Sequence, residues 1–99
     1  MLKITETDRT NRAVTLKLEG RIGGKPFEAL RDECRRILAG GDRIVLDMGG
    51  VSFIERPAFS LFREMLKEDI SLINCSLFLT EQLKNGGGHH DRDIFKNRQ

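Results

Sequence analysis

The stretch Arg43-Ile44-Val45-Leu46-Asp47-Met48 constrains this chain more than any other. Its apolar centre is short, β-branched and continuous, the pattern of a central strand buried on both faces. Such a strand needs neighbours, and the flanking segments supply them. Leu2-Lys3-Ile4-Thr5-Glu6 and Ala13-Val14-Thr15-Leu16-Lys17-Leu18-Glu19 alternate with period two, with turn chemistry at Asp8-Arg9-Thr10-Asn11 between them. They predict an antiparallel hairpin with one buried face. Ile70-Ser71-Leu72-Ile73-Asn74 predicts a further short strand. After the central strand, Gly49-Gly50 predicts a turn, followed by the short run Val51-Ser52-Phe53-Ile54.

Helical spacing fills the gaps. Pro26 suits a first helical turn, and Phe27, Leu30, Cys34, Ile37 and Leu38 recur on one face until Gly40-Gly41, which predicts a helix over 26–39. Its other face carries Glu28, Arg31, Asp32, Arg35 and Arg36, with Asp32 and Arg36 spaced as a surface ion pair. A second helix is predicted from Pro57 to about Lys67, with Ala58, Leu61, Phe62, Met65 and Leu66 inward and Phe59 beside them. Ser76 is placed to cap a last short helix that buries Leu79 and Leu83 and ends at Asn85-Gly86. The order β-β-α-β-α-β-α predicts an α/β fold: a small mixed sheet, N-terminal hairpin first and parallel strands after it, with helices packed against it. The domain is expected to occupy 1–85, and 86–99 reads as a flexible polar tail with Ile94 and Phe95 as its apolar residues.

The remaining totals narrow the function. Ninety-nine residues suffice for one domain. No apolar run approaches the roughly 20 residues that span a bilayer, and the first residues enter a strand pattern rather than a leader, so a cytoplasmic protein without membrane insertion is expected. Cys34 and Cys75 lie in apolar contexts and read as reduced thiols. Seventeen basic and fifteen acidic residues are intermixed, for a net charge of +2, which creates no field for nucleic acid. Acids interleave Arg31, Arg35 and Arg36, and the chain has no Tyr or Trp on which bases stack.

Candidate chemistry is sparse. The turn Gly20-Arg21-Ile22-Gly23-Gly24-Lys25 lies between strand and helix like a phosphate cradle, but its spacing matches neither the dinucleotide nor the Walker pattern. A nucleotide-binding sensor or enzyme using that turn is the alternative from another class. Asp47 and Glu55 would hold magnesium if they converged on one strand edge; solvated loop acids are the plainer reading. His89-His90 with Asp91 and Asp93 falls in the tail, where ligands for zinc are not fixed. Neither cysteine nor any serine has a sequence-visible base. The expectation is therefore no catalytic residue, no cofactor and no metal.

Three segments together resemble a known family. Leu46-Asp47-Met48-Gly49-Gly50-Val51-Ser52-Phe53-Ile54, Leu16-Lys17-Leu18-Glu19-Gly20-Arg21-Ile22 and the helix after Pro26 are similar, in that order, to the STAS domain. This is the fold of bacterial anti-sigma-factor antagonists, found also in stressosome proteins, in sulfate-transporter tails and in a small subunit of a phospholipid-transport ABC system. The resemblance covers residues 2–84. It implies a non-catalytic interaction module in transcription regulation or signalling, whose partner is an anti-sigma factor of kinase type or, alternatively, an ABC ATPase.

Relatives commonly read Asp-Ser-x-Gly after the Phe-Ile pair and carry a phosphate on that serine. The matching positions here are Glu55, Arg56, Pro57 and Ala58, so the phosphoacceptor position holds Arg56, which takes no phosphate. A phosphate would add about −1.5 to −2 charge; Arg56 supplies a permanent cation instead. The resemblance implies that Glu55, Arg56, Pro57, Ala58 and Phe59 meet the partner, and Pro57 makes the tip stiffer than in relatives. Ser52 and Ser60 are the nearby hydroxyls that modification would use instead. Nothing after Asn85 has a strand period, so a sheet edge is expected to be bare, and pairing into a homodimer is expected there.

Overall fold

The computed structural model describes residues 1–86, with side chains up to Lys84. The tail with its His89, His90, Asp91 and Asp93 reading lies outside the described residues. The elements are β1 (Leu2–Thr10), β2 (Ala13–Ile22), α1 (Gly24–Ala39), β3 (Arg43–Ile54), a 3-10 turn (Arg56–Ala58), α2 (Phe59–Met65), β4 (Ile70–Ile73) and α3 (Leu77–Gly86). Four strands form one sheet in the order β1-β2-β3-β4. The β1–β2 pair is antiparallel and the other two are parallel, the mixed sheet that the sequence predicts.

The hairpin is longer than its period suggested. Asp8, Arg9 and Thr10 are strand, not turn, and the reversal is made by Asn11 and Arg12, whose φ angles are 51° and 63°. A two-residue hairpin turn needs positive φ at both central positions, and Asn tolerates it well. A register shift between Glu6 and Asp8 carries the pairing past Thr7, which hides the alternation beyond Glu6.

Strand β3 also corrects the sequence reading. Gly49-Gly50 is not a turn: the strand continues through it to Ile54, with its pairing to β2 shifting register between Asp47 and Gly50 and again between Val51 and Phe53. Gly50 makes this continuity feasible, since a Cβ there would lie 2.7 Å from Glu19 Cγ and 3.0 Å from Leu18 O. Nor is β3 buried on both faces. Ile44, Leu46 and Met48 are buried while Val45 and Asp47 are only partly so, because all the apolar helix faces meet one side of the sheet. The other side, with Thr15, Lys17, Asp47 and Ser71, is polar.

That single core joins Val14, Leu16 and Leu18 of β2 to Phe27 and Leu30 of α1, Phe62 of α2 and Leu79 and Leu83 of α3. Phe27 and Phe62 meet edge to face, centroids 6.2 Å apart, and so tie α1 to α2. The predicted second helix divides. Pro57 lies in the 3-10 turn, with Ala58 N–H donating to Glu55 O at 2.9 Å, and the α-helix starts only at Phe59. Leu61 is 43% exposed rather than inward. On α1, Arg36 pairs with Glu33 and not with Asp32, which lies 3.9 Å from Arg31. Ser76 caps α3 as predicted, its Oγ accepting from Leu79 N–H at 3.1 Å.

Cys34 sits in the core at 2% exposure, and burial pushes its thiol up to about 11. The folded state thus holds the thiol proton more tightly than the unfolded state. This contribution is fully present below the unfolded value of about 8.5 and is lost as the pH climbs toward 11. Cys34 is expected to resist alkylation at pH 8 in native protein and to react at the rate of a free thiol in urea; Cys75, partly exposed, reacts first. Mass spectrometry of peptides after timed labelling checks the order.

Candidate functional site

The candidate site is the corner where β3 hands the chain to α2. Strands β2 and β3 end side by side, with Ile22 opposite Ile54, and Glu55 N–H donates to Ile22 O at 2.8 Å. The next three residues wind into the 3-10 turn, for which Pro57 supplies a preset φ. Backbone sterics thus fix the corner from beneath: Ile54 is fully buried and Ala58 is 4% exposed.

Side chains distribute as follows. Arg56 and Pro57 are exposed, Glu55 and Phe59 are partly exposed, and Ala58 faces the core, where it serves as footing. Phe59 packs against the edge of the core. Ser60 is exposed, and Ser52 Oγ donates to Gly20 O at 3.2 Å. Among the described residues Arg56 has no ion-pair partner, whereas Glu55 lies 3.9 Å from Arg21. The Arg21 guanidinium also stands 5.3 Å from the centre of the Phe53 ring, a cation–π contact. Arg56 is therefore the uncommitted cation of this corner.

Two contributors escaped sequence reading. Arg21 appeared only as part of a glycine-rich turn and of the second resembling segment; its contacts with Phe53 and Glu55 depend on the β2–β3 register, which no local pattern reveals. Gln82 of α3 is the other. Its Nε2 donates to Ile54 O and its Oε1 accepts from Ile54 N–H, both at 3.3 Å. Strand β4 pairs only with Ile44 to Asp47, so this side-chain amide stands where a further strand would otherwise bond. A helical glutamine carries no sequence signal for that role.

The alternative chemistries fare differently. Asp47 and Glu55 do not converge: eight residues of strand part them, roughly 25 Å of rise. Asp47 is engaged elsewhere, accepting from Asn74 Nδ2 and Gly49 N–H at 3.0 Å each, and these bonds, Asn74 first, hold its carboxyl below the usual carboxylate range. Among the described residues no group of three or more His, Cys, Asp or Glu side chains is placed to hold a metal. At the glycine-rich turn, a Cβ on Gly23 would collide with the Glu55 side chain. A carboxylate thus fills the approach to the start of α1 that a phosphate would need. No described helix is long and apolar enough to cross a membrane.

Comparison with known proteins agrees with this architecture. No curated protein matches the chain. The family model for the STAS domain matches residues 4–82, from the hairpin through Gln82. With that span running from β1 into α3 and covering most of the chain, the chain belongs to the STAS domain family.

Proposed function

We propose that this module is a non-catalytic, cytoplasmic regulator of bacterial type that grips a protein partner at the β3–α2 corner. It does so in the manner of an anti-sigma-factor antagonist, with a fixed cation at Arg56 in place of a phosphorylatable serine. One observation carries the reading: Arg56 projects from a corner whose footing is buried, and no described carboxylate neutralises it. Glu55, Arg56, Pro57 and Phe59 form the contact surface, with Ala58 beneath. Binding is constitutive, because nothing at this position can be modified to reverse it.

The exposure of Leu61 on α2 favours a second reading with the same surface, a STAS subunit docked on an ABC ATPase, since an exposed leucine beside Phe59 suits an apolar helix contact. Pairing of two copies through the four-residue β4 strand at the sheet edge belongs to the proposal as well, and light scattering reads it directly.

Affinity capture from the native cell tests the proposal. Wild-type protein should retain an anti-sigma factor of kinase type or an ABC ATPase, and its identity decides between the two readings. Arg56→Glu should lower retention at least tenfold, while Lys3→Glu on exposed β1 leaves it unchanged. Equal retention by Arg56→Glu rejects the corner. A stoichiometric phosphate on Ser52 or Ser60 that accompanies release would reject constitutive binding. A thermal-shift response to nucleotides would revive the sensor or enzyme reading, since a ligand at 100 times its dissociation constant adds about 2.7 kcal/mol.

A further inference from the structure

Strand β4 is the last in the sheet, and among the described residues no strand pairs with its outer side. Natural edges are blunted by charge, proline, a bulge or shortness. Ile70-Ser71-Leu72-Ile73 carries no charge and no proline, and it meets β3 in an unbroken register, so shortness is the only such device within the strand. Exposed apolar surface gathers at the same place. Ile73 is 42% exposed, Leu77 75% and Phe78 58%, all between the end of β4 and the first turn of α3.

The ladder to β3 shows which backbone groups of β4 remain available. Ile44 N–H donates to Asp69 O at 3.1 Å. Successive residues of a strand turn their backbone groups to opposite neighbours, so Asp69, Ser71 and Ile73 face β3 while Ile70 and Leu72 face outward. The Ile70 N–H is engaged by Glu68 O at 2.7 Å, which leaves only its carbonyl. The Asn74 N–H also points outward, because the planar trans peptide sets it opposite the Ile73 carbonyl. Its side chain donates to Asp47 at 3.0 Å and so fixes this end of the strand.

The available set is the Ile70 carbonyl, both groups of Leu72 and the Asn74 N–H, and it complements itself about a two-fold axis through Leu72. We propose that two copies of this chain pair antiparallel through β4 about that axis, a register that rests on the edge pairing raised above and specifies it. Leu72 exchanges both backbone bonds with Leu72 of the second copy, and each Asn74 N–H donates to the other copy's Ile70 carbonyl. An axis through Ser71 would instead need the Ile70 N–H, which is already engaged. Ser71 then stands directly opposite Ile73 of the second copy on the polar side of the sheet, and the two Ile73 residues meet on the diagonal, about 7–8 Å apart. The exposed Ile73 is thereby covered. Antiparallel order brings the C-terminal end of each β4 beside the other copy's α2–β4 connection, where Leu77 and Phe78 widen the contact toward the roughly 1,200–2,000 Å² that stable interfaces bury. Arg56 takes no part, so the corner reading stands or falls separately.

Disulfide trapping in the full 99-residue protein carrying Cys75→Ser tests the register. Directly opposed residues that do not share hydrogen bonds have Cα atoms about 4.5 Å apart, within the range a disulfide spans. A mixture of the Ser71→Cys and Ile73→Cys proteins should link into covalent dimers at least tenfold faster than either protein alone. Light scattering should give a dimeric mass for wild type. Synthetic protein N-methylated on the Leu72 backbone loses only the outward donor, and it should stay folded by circular dichroism and run as a monomer. A dimer in which the mixture links no faster than the single variants overturns this register while leaving edge pairing in place. A folded N-methyl protein that is still dimeric overturns it as well. A wild type that is monomeric at every concentration overturns both the register and the pairing.

Discussion

Replacing Phe62 with alanine is expected to remove about 3–5 kcal/mol of stability. The ring is fully buried, and its edge-to-face contact with Phe27 is what ties α1 to α2. Folded domains of this size have about 5–15 kcal/mol in total, so the variant should sit near its unfolding transition at 37 °C. Urea titration followed by circular dichroism measures the shift, and Phe62→Leu should recover more than half of it by filling most of the cavity. A loss below about 1 kcal/mol for the alanine variant would mean that the two helices do not share this contact in solution. The change also reaches the candidate site, because α2 carries Phe59 and is joined directly to the Arg56 turn.

Gln82→Ala should produce the second large effect, about 2 kcal/mol. It strips both hydrogen bonds from the backbone of Ile54, a fully buried residue, and leaves a donor and an acceptor without replacement. Amide hydrogen exchange separates this from general destabilisation. The Ile54 N–H should exchange far faster, whereas the Glu55 N–H, bonded to Ile22 O, should keep most of its protection. Equal loss at both amides would show that Gln82 supports the whole fold rather than this one rung. Gln82→Leu keeps the packing volume and should not rescue Ile54, since the defect is one of hydrogen bonding.

Periodicity made most of the fold legible. The helix positions Phe27, Leu30, Cys34, Ile37, Leu79 and Leu83 are buried as their spacing predicts, and the order of elements follows from alternating strand and helix patterns. The errors share one cause. Whether Gly49-Gly50 turns or continues depends on β2 lying alongside, a long-range pairing that a local window does not contain. The mistaken burial of Val45 arises the same way, because one apolar run serves a one-sided sheet as well as a two-sided one. At the candidate site, the resemblance pointed to the corner around Arg56 as the surface to propose, but the contacts that hold this corner, Gln82 on Ile54 and Arg21 on Phe53, join residues far apart in sequence. Ala58 looked like part of the docking tip because sequence adjacency says nothing about which way a 3-10 turn points.

The two left-handed residues at Asn11 and Arg12 have a consequence for the route by which the chain folds. A reversal of two residues closes with the least loss of chain entropy, so β1 and β2 can zip within microseconds, before any helix crossover has been made. Strand β3 must instead wait for the α1 segment to loop back, and it then meets a finished template rather than a free chain. Replacing both turn residues with β-branched ones would slow folding more than it speeds unfolding, the kinetic signature of an early nucleus.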